Sequence, residues 1–418
     1  MANCDLKRSK DSPILPEKRL KATETEAILV SHEVSEEPSE KKKQIKVKDS
    51  TIDEETLLNK PGELDFDFEK WFLNPVQPKP CYYFEKGLRK VKPYYYIYEA
   101  NAKGRWLKKS ILDIFVKEFQ DQSPEYYKLA IETGKIRVNK KVVTTGYLIQ
   151  NGDKIYHLIH RHEPPVSAEP ITIISKSDDV IVVYKPSGMP VHPSGRYRYN
   201  TLLHILANEF EITKFYPANR LDRLTSGIIL IAQNPQVACE FERLMKGGSI
   251  SKSYYCRVNG EFPEGKIKCD EPIKTFSFKL GLNHVHPDGK LCSTDFERVS
   301  FNGTSSLVKC QPLTGRTHQI RVHLLHLGYP IANDPLYKLT DDKDSFICEL
   351  AKEKSQRSIE ESCGGEGWTR CDKCQSYLPP DPSPKERLMW LHAFCYSGPD
   401  WSYTTKDLPD WAQESYKG

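Results

Sequence analysis

An α+β protein made of more than one folded unit is what three features of this sequence predict. Its 418 residues exceed what a single ordinary core accommodates. Short apolar runs rich in β-branched residues alternate with segments of helical spacing, the mark of mixed sheet and helix. Abrupt shifts of composition near residues 60, 163 and 341 divide the chain into pieces.

Residues 1–60 contain no Phe, Trp or Tyr and mix acids with bases, so they bury too little surface to offset chain ordering and are expected to be a disordered tail. Lys41, Lys42, Lys43, Lys46 and Lys48 form a basic run there, which is a solvated charge run or a nuclear-import or RNA-contact patch. Aromatic residues arrive with Phe66, Tyr82, Tyr83 and the run Tyr94, Tyr95, Tyr96, Tyr98, so residues 61–104 are expected to pack as an extension on the folded part.

Residues 105–162 read as a small module. Ile111, Leu112, Ile114, Phe115 and Phe119 keep helical spacing, a second helix is expected over Tyr126 to Glu132, and Gly134 stops it. Ile136 to Val138, Lys140 to Val143 and the turn Asn151-Gly152-Asp153 before Lys154-Ile155-Tyr156 then read as strands and turns. Lys108, Lys109, Arg137, Lys140 and Lys141 give this module a basic surface suited to phosphates.

Glu163-Pro164-Pro165 is expected to be a linker, because proline restricts both itself and its predecessor. Beyond it, residues 170–340 form the main domain. Ile171 to Ile174, Val180 to Tyr184 and Ile228 to Ile231 are continuous apolar runs typical of strands buried on both faces, with helices expected over 201–210 and 236–246. Residues 341–385 turn polar and rich in Gly and Pro, which marks an irregular insertion, and 386–418 return to the core through Leu388 to Phe394.

Bulk properties exclude some classes. Hydrophobic residues make up 38% and charged residues 28%, enough for a core inside a wet surface. No apolar run approaches the roughly 20 residues that span a bilayer, and the start lacks a secretory pattern. Asp5, Asp11 and Glu17 interrupt the early basic residues, which disfavours a mitochondrial presequence and leads to an expectation of cytoplasmic or nuclear residence. The net charge of +4 names no partner by itself, and the 12 cysteines lack a disulfide framework, in keeping with free thiols.

Four segments carry chemistry. Asn219-Arg220-Leu221-Asp222-Arg223-Leu224-Thr225-Ser226-Gly227 places an acid between arginines just before a buried strand, where positive charge keeps a carboxylate ionised. An exposed ion pair reads the same way and contributes little. Thr314 to Leu324 packs Arg316, His318, Gln319, Arg321 and His323 around alternating Ile320, Val322 and Leu324, as expected of a half-buried strand. Tyr184 to Pro193 is a stiffened turn after a strand, and Lys252 to Val258 holds two adjacent tyrosines.

In this order the four segments resemble the RluA-like RNA pseudouridine synthases, in their eukaryotic branch. The match rests on Lys185-Pro186-Ser187-Gly188 with Val191-His192-Pro193, on Arg220-Leu221-Asp222 with Thr225-Ser226-Gly227, on Lys252-Ser253-Tyr254, and on Gly315-Arg316-Thr317-His318-Gln319-Ile320-Arg321-Val322-His323. It spans about residues 170–340 and returns at Leu391-His392-Ala393, while Asn219 stands where the family has His. The resemblance implies a catalytic domain with a mixed, mainly antiparallel sheet and flanking helices, and the module before it resembles the S4 RNA-binding fold.

The resemblance also implies roles. Asp222 matches the family's catalytic acid, which acts on uridine as nucleophile or by taking a sugar proton. Arg321 matches the arginine that pairs with this acid, and Tyr254 the tyrosine that stacks on uracil. Arg220 matches an arginine that enters the RNA as the uridine leaves its stack, with Arg223, Arg316 and His318 as further RNA contacts. The implied partner is RNA, foremost a tRNA anticodon stem-loop uridine such as U32, with no membrane and a monomeric enzyme. A non-catalytic RNA-binding or RNA-folding protein on the same fold is the alternative. A zinc deaminase is excluded because no His-x-Glu stands upstream of a Pro-Cys-x-x-Cys.

The isomerisation needs no redox change, so no cofactor and no metal are expected. Cys363, Cys371 and Cys374, with His392 or Cys395 as a fourth group, have some zinc character, but only one Cys-x-x-Cys is present and His392 reads as part of a core strand.

Overall fold

The computed structural model describes residues 79–119, 122–277, 281–340, 349, 352–353 and 364–416. The tail over 1–60, Cys363 and most of 341–363 lie outside the described residues.

The described chain opens with the hairpin β1 (Tyr82–Glu85) and β2 (Leu88–Val91), followed by β3 (Tyr94–Asn101). Helix α1 (Ile111–Ile114) starts where the Ser110 hydroxyl accepts from the Asp113 amide at 3.1 Å, and a π turn over Phe115–Phe119 continues it. Helix α2 (Pro124–Glu132) begins the same way, with Ser123 as its cap and Pro124 in the first turn. Gly134, at φ +72°, lets the chain leave it. Strands β4 (Ile136–Val138), β5 (Lys141–Val142) and β6 (Lys154–Arg161) follow, and the sheet runs β3-β6-β4-β5 over a core of Trp106, Ile111, Phe115, Tyr127 and Ile136. The helix, helix, strand order read from the sequence is present. One strand of this sheet, however, comes from upstream of residue 105: β3 pairs with β6 through eight positions, from Tyr94↔Arg161 to Asn101↔Lys154.

The Glu163-Pro164-Pro165 segment is tied down at both sides. The Glu163 carboxylate accepts from the backbone amides of Arg198, Tyr199 and Asn200 at 2.8, 2.9 and 2.9 Å and from the Tyr94 hydroxyl at 2.6 Å. Strand β7 (Val166–Ser167) then pairs with β2. Arg89 on β2 forms an ion pair with Glu209.

The main domain is built on one ten-stranded sheet. Its elements are β8 (Thr172–Lys176), β9 (Val180–Lys185), α3 (Leu202–Glu209), β10 (Tyr216–Pro217), β11 (Ser226–Ala232), α4 (Pro235–Lys246), β12 (Ser251–Asn259) and β13 (Lys266–Cys269). After a small hairpin, β14 (Ile273–Ser277) and β15 (Leu282–Val285), come β16 (Thr294–Phe301), β17 (Ser305–Pro312) and α5 (Gln319–His326). A second hairpin, β18 (Thr369–Arg370) and β19 (Tyr377–Leu378), precedes β20 (Leu391–Ser397) and β21 (Ser402–Thr404).

The sheet path is β13-β16-β17-β12-β20-β11-β9-β8, so the C-terminal return supplies β20 to the middle of the sheet. All its pairings are antiparallel except β11 with β20, which meet only at Ser226↔His392 and Gly227↔Ala393. At that seam the backbones come so close that a Cβ on Gly227, at φ +119°, would lie 2.2 Å from the Ala393 carbonyl oxygen. No side chain fits there, which explains the glycine after Thr225-Ser226.

The strand expected over 320–324 is instead helix α5. Gln319 through Leu324 are all buried, so apolar residues at alternate positions carried no period information, and His318 at φ +58° turns the chain into the helix. No helix among the described residues is long and apolar enough to cross a membrane.

Candidate active site

Asp222 sits on the short loop entering β11, and its position is fixed by bonds to the backbone carbonyls of that loop. The Lys185 ammonium, fully buried at the end of β9, donates to the carbonyls of Pro186 and Met189 at 2.8 Å each and of Arg223 at 3.3 Å. The Ser187 hydroxyl bonds to the Leu224 carbonyl, and the Met389 amide donates to the same oxygen at 3.3 Å. That last bond, from Met389 just ahead of β20, ties the loop to the strand that lies beside β11. The Thr225 amide closes the turn on the Asp222 carbonyl at 3.1 Å. Burial pushes the Lys185 pKa down to about 7, against the pull of the Asp222 charge.

Arg321 projects from α5 toward this loop. Its Nη1 donates to Asp222 Oδ2 at 3.0 Å, while Nε and Nη2 grip Asp334 in a two-pronged bond at 2.6 and 2.8 Å. Burial opposes the Arg321 cation, but the hydrogen bonds to Asp334 and the charges of Asp334 and Asp222 outweigh it and raise its pKa. The Asp222 side chain keeps 25% of its surface open, against 1% for Asp334, so one carboxylate faces the cleft and the other is held inside. The guanidinium also lies 4.8 Å over the Tyr337 ring.

His318 stands at the mouth of α5. Its Nδ1 bonds the Tyr337 hydroxyl at 2.8 Å, and its Nε2 lies 3.6 Å from Asp222 Oδ2, beyond hydrogen-bond reach. Burial lowers its pKa, although Asp222 pulls the other way. Gln319 fixes the preceding loop: its Oε1 accepts from Thr314 Oγ1 and the Arg316 amide, and its Nε2 donates to the Ser293 carbonyl and Thr294 Oγ1.

Tyr254 faces the same space from β12, two strands away across β20. Its hydroxyl pairs with that of Tyr396, and burial raises its pKa well above the usual phenol value, so it stays protonated. The cleft holds about 260 Å³ and is lined by Arg220, Asp222, Tyr254, Arg316, His318 and Arg321 among others. A second cleft, lined by His192, Arg220, Asp222 and Arg223, meets the first at Asp222. Arginines thus surround one open carboxylate, an arrangement able to hold a polyanion while presenting an acid side chain to it.

Of the residues singled out from the sequence, Asp222, Tyr254, Arg321, Arg220, Arg316 and His318 line one cleft, and Arg223 lines its neighbour. Lys108, Lys109, Lys140 and Lys141 lie on the N-terminal module. Arg137 does not belong to its surface: it is buried, and its guanidinium donates to the carbonyls of Gly134 at 2.9 Å and Lys140 at 3.4 Å. Asn219 acts in packing, accepting from the Leu230 amide at 2.8 Å and donating to the Ile228 carbonyl at 3.1 Å. The sequence reading missed Asp334, Tyr337 and Tyr396. An isolated Asp before a proline and two of 22 tyrosines carry no local signal, whereas Lys185 stood in a recognised motif without a role attached.

Comparison with known proteins follows the same line. A profile described as RNA pseudouridylate synthase matches residues 179–326. The mitochondrial tRNA pseudouridine(32) synthase of Saccharomyces cerevisiae is 41% identical over 357 residues, covering 78% of this chain and 77% of the yeast protein. The mouse pseudouridylate synthase RPUSD2 is 36% identical over 80% of this chain and 73% of its own length. RNA pseudouridine synthase 7 of rice is 36% identical over 81% of this chain and 93% of its own. The yeast relative, mitochondrial by name, overturns the expectation of cytoplasmic or nuclear residence. Three early acidic residues are no ground for excluding a mitochondrial address. Similarity of this depth over most of both chains makes the protein a member of the RNA pseudouridylate synthase family and an RNA-modifying isomerase.

Proposed function

We propose that this enzyme converts a uridine of a tRNA anticodon stem-loop, position 32 first, to pseudouridine, with Asp222 as the catalytic acid residue. The observation that carries the reading is the pairing of the open Asp222 carboxylate with Arg321 inside a cleft that Tyr254 also lines. The tRNA position is supported by the names of two yeast relatives, tRNA pseudouridine(32) synthase at 41% identity and tRNA pseudouridine(31) synthase at 31%. The non-catalytic alternative has no observation in its favour.

The reaction breaks the bond between uracil N1 and sugar C1′, turns the base, and joins C5 to the same C1′. The C5 proton leaves and N1 ends protonated, so atoms balance without oxidant, reductant or outside group. Asp222 acts on the sugar side, either by bonding C1′ or by taking the C2′ proton, and both routes need it ionised. Arg321 fixes its direction through the bond from Nη1. Tyr254 offers a flat ring to the base, and Arg220, exposed at the cleft edge, suits the vacated place in the RNA stack.

Residues 105–162, extended by β3, serve in this reading as an S4-like RNA-binding module, with 170–340 and 386–418 as the catalytic domain and 341–385 as its insertion. One chain supplies every group of the site, so a monomer suffices. The test is to incubate purified protein with an unmodified tRNA transcript and map pseudouridine chemically, beside a transcript carrying cytidine at position 32. Modification at 32 in the first and none in the second is expected. Modification elsewhere would refute the position, and none at all on any tRNA would refute the substrate.

A further inference from the structure

We propose that His160, His162, Cys371 and Cys374 form a zinc site that fastens the β18–β19 hairpin of the insertion to the sheet of the N-terminal module. His160 lies on β6 and His162 just past its end, two residues apart and so on one face of the chain. Cys371 and Cys374 lie in the turn between β18 and β19, where the Cys371 amide donates to the Ser376 carbonyl at 3.0 Å and the Gln375 amide to the Cys371 carbonyl at 2.8 Å. Gln375, at φ +61°, closes this turn so that both sulfurs point the same way, toward the histidines.

The distances fit a tetrahedral ion. His160 Nδ1 is 3.1 Å from His162 Nε2, His162 Nε2 is 3.2 Å from Cys374 Sγ, and Cys371 Sγ is 3.6 Å from His160 Nδ1. All four ligand atoms lie within 4.8 Å of one another. Ligands at zinc bond lengths of ~2.0 to ~2.3 Å and tetrahedral angles stand roughly 3.3 to 3.8 Å apart. Two imidazoles with two thiolates select zinc over the oxygen-seeking cations, and their two negative charges match the ion.

The hairpin has a need for such a staple. None of the residues from 364 to 380 is buried, its strands are two residues each, and the thiols meet the histidines across more than 200 residues of sequence. The Tyr95 ring packs on His160 at 4.8 Å between centroids and holds its orientation. Neither of the alternatives considered from sequence takes part: His392 bonds Ser226 and Thr405 in the core, and Cys395 faces Ser397 and Ser402.

The full chain, purified without chelator, should carry one zinc per molecule by mass spectrometry of the metal. Cys374→Ser and His162→Ala should each bring this to background, while Cys395→Ser should leave it unchanged. Cys374→His keeps four ligands and should retain the metal, which separates ligation from folding if the other variants prove insoluble. Stripped protein should take up one cobalt ion with the visible and thiolate charge-transfer bands of a tetrahedral site, and chelation should open the hairpin to trypsin at Arg370 and Lys373. A wild-type chain that holds no zinc and takes up no cobalt would overturn the proposal, as would undiminished metal in Cys374→Ser or His162→Ala.

Discussion

Asp222 and Asp334 share a single guanidinium: Arg321 gives the first one nitrogen at 3.0 Å and the second two, at 2.6 and 2.8 Å. The buried acid fixes the cation, and the cation aims the open acid. Asp334 in turn accepts from the amides of Leu336 and Tyr337 at 2.8 and 3.1 Å, so the arrangement is anchored to the backbone beyond α5.

Asp222→Asn should abolish pseudouridine formation while leaving the fold and RNA affinity largely intact, because it removes one charge at nearly constant volume. Circular dichroism and filter binding check the second half, and chemical mapping the first. Measurable turnover by this variant would refute Asp222 as the catalytic acid.

Arg321→Ala should be inactive and less stable by roughly 3 to 5 kcal/mol, since it strands the buried Asp334 carboxylate. Asp334→Asn tests positioning separately. It should lower kcat on the order of 10²-fold through misalignment of Arg321, with KM for RNA nearly unchanged. A shift confined to KM would place Asp334 in RNA binding instead.

His392 should make the fold sensitive to acid. It is fully buried between Ser226 Oγ at 2.9 Å and Thr405 Oγ1 at 3.0 Å, and burial lowers its pKa from 6.5 to about 4. Between those values the unfolded chain binds the proton and the folded chain does not, so stability falls as pH drops from 6.5 to about 4, by up to about 3 kcal/mol. Melting curves across this range should show His392→Gln losing less stability than the wild type over the same interval. Equal slopes would mean His392 is not the group responsible.

Replacing Lys108, Lys109, Lys140 and Lys141 by Ala should weaken binding to all RNA sequences alike and reduce the salt slope by roughly one unit per lost phosphate contact. Turnover on saturating RNA should survive, because these residues lie on the module and the acid lies beyond Pro165. Arg137→Ala should behave differently, costing stability of roughly 1 to 3 kcal/mol through its two lost carbonyl bonds. An unchanged salt slope in the lysine variant would show that the module does not face RNA.

The sequence by itself pointed to the class of chemistry and to the most apolar strands, though not to most of the 21 strands among the described residues. Asp222, Tyr254 and Arg321 were legible as candidates because each stands in a motif that resembles one of the pseudouridine synthase family. The runs Val180 to Tyr184 and Ile228 to Ile231 were legible because a strand buried on both faces has to be apolar throughout. The helices over 202–209 and 235–246 kept an exposed face and so kept their period. Tertiary structure decided the rest, wherever the deciding partner is distant in the chain. Helix α5 is buried along most of its length, which erases the periodicity that separates helix from strand. Asp334 matters only because it meets Arg321, and Cys371 meets His160 across 211 residues. Spacing along a chain reports local geometry. Which distant groups converge is set by the packing of the whole sheet.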